Sequence, residues 1–389
     1  MIRNVAKKIS LPALLLDLDA FDDNCRQIAG KANGKKIRIA TKSIRSVGVL
    51  RRILASDSVF QGLMCYSSKE AVFLANKGFN NILIGYPCTD KESLKEISLL
   101  TANGHAIICM ADCDEHIELL EAVAEETNGK FSVCIDVDMS TKFPFLHFGV
   151  RRSPLQSGSD VVHLAHKIKN SKHVELKGIM GYEAQIAGVG DDVPNQNFKN
   201  RFIAFLKKKS RKTVEMRRKN VVDALRKEGF VLEFVNGGGT GSLHTTTTDD
   251  VVTEVTVGSG FYSPLLFDYY RDFHYKPSLY FALPVVRKPT ENIYTCLGGG
   301  YIASGPAGKD KAPQPVYPPN GQLLKFEGAG EVQTPVYFEH EQLEIGDPII
   351  FRHAKAGEIC ERFNEIICFK NGEIVSRFPT YRGEGVSFL

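Results

Sequence analysis

Arg38-Ile39-Ala40-Thr41-Lys42-Ser43 is the stretch on which the reading of this chain turns. Ile37 to Ala40 reads as a brief apolar strand that runs into a lysine, and helical periodicity begins soon after, from Val47 to Leu54. A lysine at the end of a buried strand has its ammonium at the edge of the core, where desolvation disfavours the charged form. The neutral amine that results is the nucleophile a Schiff-base lysine needs. A surface lysine after an edge strand is the plainer reading of the same six residues. Only the rest of the chain separates the two.

On the C-terminal side, strands and helices alternate. Apolar strands are predicted at Val59–Met64, Asn81–Gly85, His105–Cys109, Phe131–Val137, Leu176–Gly181, Val231–Val235 and Val251–Val257. Helices fall between them at Ser68–Lys77, Lys91–Leu100, Glu115–Glu125, Asp160–Lys169 and Phe198–Lys227. The first of these is opened by Ser67 and Ser68 ahead of Glu70. Runs that are apolar throughout suit parallel strands buried on both faces. With Ile37–Ala40 they make eight units over about 240 residues, the pattern of a (β/α)8 barrel. A doubly wound open sheet is the alternative. On the N-terminal side, Ala13–Leu16 reads as one more strand, followed by a helix capped by Asp19 with Phe21, Cys25 and Ile28 on one face.

After about Ser263 the texture changes. Strand-like pieces follow at Leu279–Val286, Asn292–Cys296, Gln322–Phe326, Pro335–Phe338 and Pro348–Phe351. Ile366–Lys370 and Ile374–Phe378 flank Asn371-Gly372, a strong hairpin signal. The C-terminal part is therefore expected to be a mainly β domain, with Ala307–Asn320 a flexible loop.

Composition narrows the function. A net charge of +4 gives no argument for nucleic acid. The one basic run, Lys207 to Lys212, lies in a long helical segment and reads as a solvated face. No apolar run is long enough to span a bilayer, and Asp17 and Asp19 interrupt the short one near the N-terminus, against a signal peptide. Nine cysteines without CxxC spacing suit free thiols and a cytoplasmic protein.

In a barrel the loops after the strands open on one face, which holds the site. Lys42 ends the first strand, Asp136 and Asp138 the fifth, and Tyr182, Glu183 and Gln185 the sixth. Asn236-Gly237-Gly238-Gly239-Thr240-Gly241-Ser242 ends the seventh, and Gly258-Ser259-Gly260-Phe261-Tyr262 the eighth. Glycines let backbone N–H groups approach an anion, and Thr or Ser adds a hydroxyl. A phosphate site is one reading of these turns; a dinucleotide fingerprint or a plain tight turn are the others. A strand-one lysine with a phosphate cradle on strands seven and eight suggests a phosphorylated aldehyde cofactor, and pyridoxal phosphate fits. A second cluster runs from His353 through Glu358 and Cys360 to Phe363. Its mixed nitrogen, oxygen and sulfur donors suit Zn²⁺, although lone His and Cys residues near a strand end are commonly structural.

Arg38–Ser43 resembles the cofactor-lysine motif of the fold-type III pyridoxal phosphate enzymes, in the D-threonine aldolase and D-serine dehydratase branch. Gly62–Pro87, Gly237–Gly241 and Gly258–Tyr262 resemble further segments of that branch. The resemblance implies a barrel over residues 20–262 and a β domain from 1–19 plus 263–389, in a homodimer acting on a small amino acid, without nucleic acid or membrane. It implies Lys42 as the catalytic lysine. Arg38, Tyr182, Gly238, Gly239, Thr240, Gly260 and Tyr262 would be the cofactor residues. It also implies a divalent metal, zinc or manganese, on a His-x-Cys or His-x-Asp pair. Here Glu358 precedes Cys360 where a histidine is usual, and His353 is the nearest one. An arginine usual in the family is missing from Asp138–Gly149, where Lys142 or His147 would replace it, and Gln185 stands where a histidine is common. The implied activity is a lyase for D-β-hydroxy amino acids, aldolase-like. Dehydration, racemisation and a non-catalytic carrier role are the alternatives, and Asp136, Glu183 and His147 the acid/base candidates.

Overall fold

The computed structural model describes residues 1–306 and 308–389. Eight parallel strands close on themselves in chain order: Lys36–Ala40, Phe60–Cys65, Ile82–Pro87, Ile107–Ala111, Phe131–Asp136, Val174–Gly181, Phe234–Gly237 and Glu254–Val257. The eighth pairs with the first, Val255 with Ile37 and Val257 with Ile39, which closes the barrel and excludes the open sheet. These strands are apolar on both faces because side chains alternate between the barrel interior and the surrounding helices. Met64, Leu83, Ile108, Met110, Cys134, Met180 and Phe234 pack together as the interior layer.

Local signals account for most boundaries. Ser67 caps the helix Ser68–Asn76 by accepting the Glu70 N–H at 3.2 Å, while the Glu70 carboxylate accepts the Tyr66 N–H at 2.8 Å. Asp19 is not the cap of the helix Leu18–Ala29. Asp17 is, its Oδ1 accepting the N–H groups of Asp19 and Ala20 at 3.0 and 3.1 Å. The seventh strand begins at Phe234 rather than Val231, which is 87% exposed. The helix Asn197–Lys227 ends just before it, and the intervening residues make the return to the barrel.

The chain divides into two compact units. One contains the barrel and comprises Ile28–Thr41, Asp57–Gly258 and Phe388–Leu389; the other comprises Met1–Gln27, Lys42–Ser56 and Ser259–Ser387. The second unit is built on a nine-stranded sheet. Ala13–Asp17 lies inside that sheet, antiparallel to Leu279–Thr290 and parallel to Glu365–Lys370. Asn371 and Gly372 take positive φ values, 49° and 81°, and join Glu365–Lys370 to Glu373–Pro379 as the expected hairpin. The stretch read as a flexible loop holds structure: Lys309–Lys311 is a helical turn, and Gln314–Tyr317 pairs with Pro348–Arg352. Ala307 lies outside the described residues. Gln322–Leu323 is the only part of its predicted strand that forms, and Phe326 is exposed. The nine cysteines are unpaired. Among the described residues no helix is long and apolar enough to cross a membrane.

Candidate active site

Side chains along each barrel strand alternate, so the interior parity can be carried one step beyond the core layer. It leads from Met110 to Asp112, from Cys134 to Asp136 and from Met180 to Tyr182. Ala111 pairs with Ile135, which sets Asp112, just past the end of its strand, beside Asp136. Both carboxyls are buried, at 8% and 7% exposure. Burial first, and then the nearby Asp112, raises the Asp136 carboxyl to about 7; Arg152 pulls the other way. The Arg152 guanidinium stands over two rings, 5.3 Å from the centre of Tyr86 and 5.6 Å from that of Tyr182. Arg152 carries no signal in the sequence, since it lies just beyond Asp138–Gly149. That segment folds as a hairpin, Thr141–Phe143 with Leu146–Phe148, and neither Lys142 nor His147 takes the place over Tyr182. His147 approaches the Val150 carbonyl at 3.4 Å, and Lys142 is exposed. Asp138 is spent on the same region, accepting from Ser140 N–H at 2.8 Å, Ser140 hydroxyl at 2.7 Å and Gln156 at 2.8 Å. Gln185 donates to the Met139 carbonyl at 2.6 Å.

The glycine turn after the seventh strand is anchored from behind. Glu183 accepts the Gly238 N–H at 3.2 Å, the Ser242 hydroxyl at 2.8 Å and the Thr246 hydroxyl. Arg218, from the middle of the long helix, donates to Glu183 at 2.6 Å, to the Gly181 carbonyl at 2.8 Å and to Asp249 at 2.7 Å. A fully committed carboxylate of this kind is not an acid/base group, so Glu183 leaves that list. Glycine is required within the turn. Gly238 has φ +83°, and a Cβ on Gly239 would sit 2.9 Å from that of Ala187 and 3.2 Å from the Tyr182 ring. Thr240–Ser242 then opens as a single helical turn. Nothing in the local sequence marks Arg218, which lies between the basic residues Arg217 and Lys219 of the same long helix.

Arg38 has a different place from the one expected. It is 2% exposed, and its donors are taken by Glu254 at 2.8 and 3.0 Å, by the carbonyls of Leu63 and Asn81 at 3.2 and 2.9 Å, and by Asn81 Oδ1 at 3.0 Å. No N–H group is left over for a cofactor.

Lys42 leaves the C-terminal end of the first barrel strand in the short turn Thr41–Ser43. Its side chain is exposed while Thr41 and Ser43 are buried, so the burial expected for the ammonium is not found. Its backbone is held firmly. Arg45, at φ +51°, donates to the Lys42 carbonyl at 3.0 Å and to Glu361 at 2.8 Å. A Cβ on Gly357 would fall 1.9 Å from the Lys42 carbonyl oxygen. Tyr262 donates its hydroxyl to the Ile44 carbonyl at 3.0 Å and is wholly buried. It grips the lysine segment, which is where its one hydroxyl proton is spent. Gly260 is buried in the short helix Ser259–Tyr262.

A family model, alanine racemase N-terminal domain, matches residues 16–264. The chain belongs to the alanine racemase N-terminal domain family. A curated member, 3-hydroxy-D-aspartate aldolase from Paracoccus denitrificans (strain Pd 1222), is 26% identical over 254 residues, 65% of this chain and 60% of that protein's length. The structure of D-threonine aldolase from Filomicrobium marinum is similar with a TM-score of 0.82, at 19% identity, covering 97% of this chain and 96% of that one. The structure of D-threo-3-hydroxyaspartate dehydratase from a Delftia species has a TM-score of 0.78, at 17% identity, covering 96% and 98%.

In this member of the family the three metal candidates do not fit a shared ion. His353 alone has the right chemistry. It is 2% exposed, neither ring nitrogen has a hydrogen-bond partner, and burial with the nearby Arg352 lowers its pKa to about 3, so the ring is neutral. Glu358 is committed to Lys355 at 2.9 Å and to the Ser304 N–H and hydroxyl at 2.8 and 2.6 Å. Cys360 donates to the Ile44 carbonyl at 3.5 Å, and burial pushes its thiol up to about 12. Among the described residues, Asp112–Cys113–His116 and Glu121–Glu125–His173 bring their ligand atoms within 4.8 Å of one another; His353, Glu358 and Cys360 do not. The first of these groups is a helix start, with the Asp112 N–H donating to His116 at 3.3 Å.

Proposed function

We propose that this chain is a pyridoxal phosphate-dependent lyase of D-β-hydroxy amino acids, with cleavage to glycine and an aldehyde as its reaction. The observation that carries the proposal is a closed barrel with a lysine directly after its first strand and an anchored glycine turn directly after its seventh. The residues suit the cofactor: Lys42 is exposed on a fixed backbone, and the turn is shaped so that a Cβ at Gly239 would fill it. Lys42 would take the aldehyde carbon, and the turn at Gly239 and Thr240 would hold the phosphate, Gly239 lending the space that a Cβ would fill while its own N–H is given to Ser242. When bound, the cofactor withdraws electrons from the bonds at the substrate α-carbon. The aldolase names carried by similar proteins support the reaction class. No metal step is included, because the candidate ligands do not converge.

Asp136 is the group we assign to proton transfer. As a carboxylate it accepts the proton of the β-hydroxyl, the electron pair left on oxygen forms the aldehyde carbonyl as the α–β bond breaks, and the α-carbon, left with the pair of that bond, takes up a proton to give glycine. One observation favours a second reading. A carboxyl raised to about 7 is half protonated near neutrality, and it can hand that proton to a departing hydroxide; once a base has taken the α-proton, the C–H electron pair forms the double bond and water has been eliminated. Arg152, standing over the rings of Tyr86 and Tyr182, would orient the substrate carboxylate.

A product assay tests the proposal. The purified protein loaded with pyridoxal phosphate is incubated with D-threonine, D-allo-threonine, D-3-hydroxyaspartate, D-serine and D-alanine. Glycine is the expected product, and Lys42→Ala is expected to form none. A 2-oxo acid would establish the dehydration reading, and L-isomers would replace both with racemisation. Loading that survives in Lys42→Ala would remove that residue from its role.

A further inference from the structure

We propose that Arg218 and Glu183 are positioning residues for the anion-binding turn Gly237–Ser242, acting on the cofactor phosphate through the turn without touching it. The inference rests on the pyridoxal phosphate reading above.

Three separate elements bring charges together here. Glu183 follows the sixth strand, Arg218 lies in the long helix, and Asp249 lies between the seventh and eighth strands. All three are buried, the two partners Arg218 and Glu183 each with 2% side-chain exposure. An ion pair removed from water is a poor device for stability alone, since apolar residues of the same shape serve as well or better. What an apolar pair could not do is hold donors in fixed directions.

Glu183 does this along two routes. It takes the Gly238 N–H directly, at the one residue of the turn with φ +83°. It also takes the Ser242 hydroxyl, whose oxygen in turn accepts the Gly239 N–H at 3.1 Å. Both glycine N–H groups are thus fixed from the protein side, which sets the peptide planes on either side of them. Thr246 adds a hydroxyl donor to the same carboxylate, tying the end of the short helix Leu243–Thr246 to it. A bare carboxylate behind a phosphate site would repel the ligand. Arg218 removes that objection, and Lys35, donating to the carbonyls of Asp249 and Val252 at 2.8 and 2.6 Å, supplies a second positive charge against Asp249. Space also ties Arg218 to the turn, because a Cβ on Gly237 would meet its guanidinium at 2.8 Å.

The test compares two aldehydes that differ only in the phosphate. Pyridoxal phosphate and pyridoxal are titrated into the wild type, Glu183→Gln, Arg218→Lys, Arg218→Met and the milder Thr246→Val, following the absorbance of the lysine-bound form. Thermal midpoints are recorded for each protein. The expected result is a loss of about tenfold or more in pyridoxal phosphate affinity for Glu183→Gln and Arg218→Met, with pyridoxal changed by no more than about twofold. Arg218→Lys should recover part of the loss, and Thr246→Val should show a smaller loss in the same direction. Folded variants that keep the wild-type preference for the phosphorylated aldehyde, or that lose both aldehydes equally, would overturn the inference. Wild-type protein that binds both aldehydes equally would overturn the turn as a phosphate site. Wild-type protein that takes up neither would overturn the cofactor reading itself.

Discussion

Asp136 lies among Asp112, Asp138 and Arg152, and its carboxyl titrates at about 7 in the folded chain against an ordinary 3.8. Folding therefore favours its protonated form. The stability this contributes is complete below the ordinary carboxylate range and is lost as pH rises through about 7. Asp136→Asn removes the titration. Between pH 5 and pH 8 the wild type should lose on the order of 2 kcal/mol relative to that variant. Thermal midpoints of the two proteins at both pH values check the sign, and a constant difference would refute it. At this scale the sequence was partly legible. Lys42, Gly239 and Asp136 stand at strand ends where chain order alone draws attention. Tyr262 stands there too, yet its hydroxyl belongs to the Ile44 carbonyl, and no sequence pattern records which way a phenol points. Arg218 was hidden for another reason: it is 35 residues from Glu183, and nothing sets it apart from its basic neighbours Arg217 and Lys219.

Among the elements, the loop Gly357–Glu361 has a structural use that its residue types do not advertise. Its histidine, glutamate and cysteine neighbours suggest metal chemistry. The structure uses the loop to clamp the lysine segment, through the Cys360 thiol, the Arg45–Glu361 pair and the close approach at Gly357. Gly357→Ala places a Cβ against the Lys42 carbonyl at a left-handed φ of +84°. It is expected to cost at least about 2 kcal/mol of stability and to lower cofactor loading. Denaturant unfolding and the absorbance of the loaded protein measure the two effects. A Gly357→Ala protein with wild-type stability and loading would show that the loop yields easily and clamps nothing. The long helix Asn197–Lys227 is divided in character. Phe198, Phe202 and Phe205 are exposed, whereas Val214, Arg218, Val221, Val222 and Leu225 are buried further along. Length and period were readable here, but the change of face was not, because charge and exposure diverge only in the folded chain.

For the whole molecule, the barrel was the most legible feature, since eight apolar runs separated by helical ones leave few ways to bury both faces of a sheet. What the runs did not disclose is the ion pair inside it. Arg38 and Glu254, at 2% and 6% side-chain exposure, meet across the strands that close the ring. Arg38→Met alone should destabilise the fold by about 3 to 5 kcal/mol, because Glu254 is left buried and unpaired. Adding Glu254→Met should return much of that loss. A double-mutant cycle by chemical denaturation measures the coupling, and additive losses would show that the pair does not act as a unit. The N-terminal strand has a consequence of another kind. Ala13–Asp17 pairs with Leu279–Thr290 on one side and Glu365–Lys370 on the other, so it leaves the ribosome long before either neighbour exists. At ordinary elongation rates Leu14, Leu15 and Leu16 wait for about 10 to 50 seconds with no strand beside them. During synthesis, then, this edge is a natural client for a chaperone, and its sheet is among the last parts of the protein to be finished.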